Sequence, residues 1–82
     1  MNNKLKWIDN SNQAGTYIRH TITNNSVTLS VVVCEDGFYT YSNIFPKTIV
    51  LDAQTLDGAK TQAIDIARKR AETVLNEICE MI

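Results

Sequence analysis

The chain is short of most things a specialised small protein relies on. Its 82 residues contain one proline, three glycines, two cysteines and a single histidine. Two cysteines, Cys34 and Cys79, allow at most one intramolecular bridge, whereas a small secreted scaffold is built on several. Free thiols are therefore expected. No apolar run approaches the ~20 residues of a membrane span, and the start, Met1-Asn2-Asn3-Lys4, lacks the apolar stretch of a secretory signal. A cytoplasmic protein without a membrane segment is the reading. Asn24-Asn25-Ser26 matches a glycosylation acceptor, which has no use in that compartment.

Charge of one sign is missing too. Eight basic residues balance nine acidic ones, for a formal net charge of -1. A dedicated nucleic-acid domain normally gathers a basic excess on one face, so bulk electrostatics favour no such partner. One small domain is all this length supports, with roughly 60 to 65% of the unfolded surface buried on folding.

What is present divides in two. Residues 1–54 are rich in alternating β-branched residues, and residues 55–82 form one amphipathic segment in which alanine recurs every fourth position. Leu5, Trp7 and Ile8 suggest a short strand, followed by a polar loop from Asp9 to Gly15. From Thr16 to Thr23, Ile18, His20 and Ile22 share one face while Tyr17, Arg19 and Thr21 share the other. Val27 to Cys34 alternates in the same way. A two-residue turn at Asn24-Asn25 predicts Ile22 opposite Val27, His20 opposite Leu29 and Ile18 opposite Val31, with Tyr17, Arg19, Thr21, Thr28, Ser30 and Val32 on the far side.

The next hairpin is ambiguous. A three-residue loop, Glu35-Asp36-Gly37, pairs Val33 with Tyr39 and Val31 with Tyr41 and buries both tyrosines. A two-residue Asp36-Gly37 turn instead places them on the open face beside Tyr17. The longer loop is favoured because the shorter one sends Thr40 and Ser42 into the core, where hydroxyls are less often found. Pro46 marks a connection or an edge, and Thr48 to Asp52 offers a short last strand.

Thr55 is the expected helix N-cap, with Asp57 suited to the positive end of the helix dipole. Leu56, Ala59, Ala63, Ala67, Ala71, Val74, Ile78 and Met81 form one stripe on the helical wheel. The small side chains let the helix approach a sheet closely. The larger ones from Val74 onward fill the end of the core or extend beyond it, which makes the helix C-terminus a candidate contact surface.

Residues with chemical potential are few and scattered. His20 lies between Ile18 and Ile22 on its strand face, which suits a half-buried structural histidine better than a general base. Cys34 and Cys79 have neither CxxC spacing nor an activating partner, and Cys79, at the margin of the stripe, is expected to be accessible. One histidine, two distant cysteines and dispersed carboxylates give no ligand cluster. No P-loop, GxGxxG or HExxH occurs. Neither a catalytic set, a metal site nor a cofactor is expected. Arg68-Lys69-Arg70 is the one basic concentration and a candidate nucleic-acid contact, although Asp65, Glu72 and Glu77 offset it and a solvated helix face explains it more simply.

From Val31 to Glu72 the chain resembles, at the level of pattern, the HicB-like antitoxin domain: a strand, the turn Glu35-Asp36-Gly37-Phe38-Tyr39, a proline-containing connection, then Thr55-Leu56-Asp57-Gly58-Ala59-Lys60 opening a helix. The same layout is similar to small phage and mobile-element proteins of β-β-β-α form. The resemblance implies an antitoxin or accessory role and carries over no functional residue.

Together these features predict a single α+β domain, an antiparallel sheet of three to five strands with one long C-terminal helix packed on one face. The expected function is a small non-catalytic protein-binding module, such as a phage or mobile-element accessory or inhibitor protein, with Tyr17, Arg19, Val32 and Phe38 as candidate partner-binding residues on the open face. The alternatives are single-stranded nucleic-acid binding through that face together with Arg68, Lys69 and Arg70, and a HicB-like antitoxin. Self-association as a homodimer through exposed strand faces is a further expectation.

Overall fold

A computed structural model describes residues 5–14 and 17–82. The fold is α+β: five antiparallel strands in sequential order followed by one long helix. The strands are β1 (Ile8–Asp9), β2 (Ile18–Asn24), β3 (Val27–Cys34), β4 (Gly37–Ser42) and β5 (Ile49–Leu51), and the helix α1 runs Leu56–Glu80. Every strand pairs with its sequence neighbour, the simplest path for a chain whose connections are all short.

The helix starts where its capping chemistry says it should. Thr55 is extended and its Oγ1 accepts from the Gly58 amide at 3.0 Å, which satisfies one of the orphan donors of the first turn. Ala59 and Ala63 are fully buried. With no side chain beyond Cβ, they bring the helix close to Leu29, Val31 and Leu51, and Trp7, Ile22, Phe38, Phe45, Leu56 and Ile66 close the margins. The helix packs on β3, β4 and β5. Towards β1 the gap is bridged by Lys60, whose ammonium lies 5.5 Å from the Trp7 ring centroid.

Both hairpin turns differ from the expected ones, with opposite consequences. The first is centred on Asn25-Ser26, Asn25 taking φ 56°, so that Ile22 pairs with Leu29, His20 with Val31 and Ile18 with Val33. The centre is displaced by one whole residue from Asn24-Asn25. Each side chain meets a new partner but stays on its face, because side chains alternate with a period of two.

The second turn is Glu35-Asp36, with Gly37 at φ 145° opening β4 opposite Cys34. Here the centre moves by half a residue from the favoured three-residue loop, and every side chain of β4 changes face. Val31 pairs with Thr40 and Val32 with Tyr39. Thr40 thus enters the core at 0% exposure, and Tyr39 and Tyr41 leave it. The objection to a buried hydroxyl is met locally: Thr40 Oγ1 donates to the Ser30 carbonyl at 2.7 Å. A buried hydroxyl with such a partner costs little.

Candidate functional site

Register assigns the two faces row by row. Under the helix lie the rows Asp9, His20, Val31, Thr40, Ile49 and Ile18, Val33, Phe38, Leu51. On the open face lie Ile8, Thr21, Ser30, Tyr41 and Arg19, Val32, Tyr39, Val50. Phe38, expected on the open face, is corrected by this register: it packs against the helix-side core. The physical reason is the half-residue turn shift, and a phenyl ring has no polar tip to keep wet.

Val32 does lie on the open face, but at 8% exposure it is the floor of that face, set between Arg19 and Tyr39. Ser30 is buried beside it, its hydroxyl 2.9 Å from Thr21 Oγ1. Above this floor stands a linked group. Arg19 Nη1 donates to the Tyr41 hydroxyl at 3.0 Å, and the Arg19 guanidinium lies 5.8 Å from the Tyr17 ring centroid. Arg19 Nε is enclosed and makes no hydrogen bond among the described residues. Tyr39 reaches the other way, its hydroxyl at 3.1 and 3.2 Å from the Asp36 carboxylate oxygens. Ile8 and Val50, the latter 68% exposed, form the two edges.

The phenols are electrostatically unequal. Burial pushes the Tyr41 hydroxyl up, but hydrogen bonds from Arg19 and Ser30, with a further one from Tyr17, outweigh it and hold its pKa below the usual phenol value. Tyr17 is raised, by desolvation first and by its hydrogen bond to Tyr41 second. Tyr39 is raised because its hydroxyl is bonded to the Asp36 carboxylate. The Arg19 guanidinium, bonded to Tyr41, is held yet more firmly in its charged form. Charge on this face is thus gathered into one arginine already directed at a phenol.

The remaining candidates fall elsewhere. Arg68, Lys69 and Arg70 are on the helix, on the opposite side of the sheet from Arg19, so they and the tyrosines form no single surface. Arg68 pairs with Asp65 at 2.7 Å and Glu72 at 3.6 Å, Lys69 pairs with Asp65 at 3.2 Å, and Arg70 Nε donates to the Ile44 carbonyl at 3.0 Å. His20 sits half-buried with Nε2 3.9 Å from Asp9 Oδ1. Cys34 and Cys79 are free and exposed. Among the described residues no group of three or more His, Cys, Asp or Glu is placed to hold a metal ion, and no helix is long and apolar enough to cross a membrane.

Ile8 and Val50 are members of the face that the sequence did not single out, and Tyr39 and Tyr41 were expected there only with the less favoured, shorter turn. A signal for the tyrosines was present in the alternation Phe38, Tyr39, Thr40, Tyr41: the residue without a hydroxyl goes inward, and both phenols go where their hydroxyls find partners or water. Compared with known proteins, the chain matches no family model, no curated protein and no solved structure.

Proposed function

We propose that this protein is a non-catalytic binding module that docks a protein partner on its open sheet face, in the manner of an accessory or inhibitor protein. The observation that carries this reading is the composition of that face: Tyr17, Tyr39, Tyr41 and Arg19 stand over Val32, between the exposed aliphatic edges Ile8 and Val50. Tyrosine and arginine are the residue types enriched at the energetic centres of interfaces, because they bury large area at little rotamer cost and keep a polar tip. The Arg19–Tyr41–Tyr17 linkage holds these side chains in place before binding, which lowers the ordering cost.

The test is capture from the native host with the tagged protein, using Tyr17→Glu and Val50→Glu at exposed positions so that the core is untouched. A partner retained by the parent chain and lost with both variants supports docking on this face. Equal capture by all three rules it out.

A second reading, single-stranded nucleic-acid binding, gains from one observation: Tyr39 and Tyr41 share the face with Tyr17 and Arg19. Bases stack on such aromatics, at about 1–3 kcal/mol each. It loses the support of Arg68 to Arg70, which are on the other side. A fluorescent single-stranded oligonucleotide titrated at low salt decides it, since genuine binding falls steeply as salt is added and absence of binding removes the reading.

A further inference from the structure

Arg19 is the one charged side chain in the two open-face rows, Ile8, Thr21, Ser30, Tyr41 and Arg19, Val32, Tyr39, Val50. It has no counter-ion. On the helix Arg68 and Lys69 meet carboxylates within one turn, whereas Arg19 meets none among the described residues. Its partners are phenols instead: Nη1 donates to the Tyr41 hydroxyl at 3.0 Å, and the Tyr17 ring centroid is 5.8 Å from the guanidinium. A neutral hydroxyl positions a guanidinium without neutralising it. The side chain is half-buried, and its Nε is enclosed with no acceptor. A partly desolvated cation without a counter-ion costs free energy that an arriving anion gives back.

We propose that Arg19 sets the specificity of the open face, and that the protein docked there presents an aspartate or glutamate carboxylate to its guanidinium. This rests on the docking reading above and names the chemistry of the partner. Of the five N–H groups of a guanidinium, that on Nε is enclosed and one on Nη1 is directed at Tyr41. The others are on the outer end of the fork, where a carboxylate accepts from a pair of them at once. No cavity lies among the described residues, so a small free anion would stay solvated on this face. A protein that covers the face excludes that water and strengthens the pair. Charge count separates a carboxylate from a phosphate strand. A nucleic acid presents a phosphate at every nucleotide and is held by several cations along its track, but the basic run Arg68 to Arg70 is on the other side of the sheet. One cation over Val32, among phenols and aliphatic edges, matches one acid in an otherwise uncharged interface centre.

Selection of a random-peptide library displayed on phage against the full chain tests the inference. Retained peptides are expected to carry an acid among uncharged residues and to be lost with Val50→Asn, which removes apolar area from the face without adding charge. A synthetic peptide of the consensus then enters a double-mutant cycle. Replacing its acid by the amide, and Arg19→Met in the protein, should each weaken binding by about tenfold or more, and together by little more than either alone. Arg19→Lys, which keeps the charge but not the fork, should fall between. The change in the peptide leaves the protein untouched, so a folding defect of Arg19→Met does not obscure the result. Peptides that need Val50 but carry no acid overturn the inference and leave docking standing, as does an acid whose loss adds in full to that of Arg19→Met. A library without any binder that depends on Val50 counts against both. Absence of acidic peptides together with a single-stranded oligonucleotide bound through Arg19 would assign the guanidinium to phosphate, and overturns the inference too.

Discussion

Thr40 and Tyr41 show how much one position can carry. Thr40 is buried because its hydroxyl has the Ser30 carbonyl to bond, and its burial releases Tyr41 to the open face. There Tyr41 meets Arg19, and the pairing changes its acidity: net hydrogen bonding holds the Tyr41 phenol below its ordinary value, while Tyr17 and Tyr39 lie above theirs. Following phenolate absorbance with pH should therefore resolve one early titration and two late ones. Tyr41→Phe should delete the early step. Arg19→Met, which keeps the aliphatic stem but removes the donor, should move that step upward, since an anion stabilised by a cation loses that stabilisation when the cation goes. Three phenols titrating together would contradict the Arg19–Tyr41 bond.

At the scale of elements, the alanine stripe and the strand alternation perform one task in two ways. Ala59 and Ala63 set the helix-to-sheet distance, and Leu29, Val31 and Leu51 fill the space that distance leaves. Ala63→Leu should force the two apart and destabilise the domain by about 1–3 kcal/mol. For a domain of this size each kcal/mol lowers the thermal midpoint by roughly 4–8 °C. The same change at the exposed Ala71 should leave the midpoint nearly unchanged in a dilute sample. A thermal melt of each variant is the check, and equal losses at the two positions would mean that the sheet-facing side has been misplaced.

How much of each element was legible follows from the range of the forces involved. The N-cap at Thr55 and the helix period are local, and both read directly from the residues. The faces of β2 and β3 were legible even though their turn was displaced, because a whole-residue shift preserves the alternation. The face of β4 was not. Glu35-Asp36-Gly37 suits more than one loop length, so the choice passes to contacts distant in sequence: Phe38 against Leu51, Thr40 against Ser30, Tyr41 against Arg19.

Viewed whole, the molecule is elongated, with principal extents of 49 × 33 × 18 Å. The core occupies the end where α1 covers β3 to β5, and the last turns of the helix project beyond it. Local stability should follow that division, since amides with few buried contacts open most readily. In native-state hydrogen exchange at dilution, residues 72–80 should exchange well before residues 59–67. Uniform protection along α1 would be inconsistent with a projecting helix end.

By itself the sequence determined that three to five extended segments precede one capped helix, that Ala59 and Ala63 face the sheet although Ala71, of the same stripe, does not, and that β2 and β3 each have an apolar and a polar side. These follow from backbone preferences and from periodicities that act over a few residues. Only the tertiary structure decided that Tyr39 and Tyr41 stand with Arg19 on the open face, that Phe38 lies beneath the helix, and that the basic run and the tyrosines are separated by the sheet. Those outcomes depend on a half-residue choice of turn, which side chains settle by finding partners far along the chain.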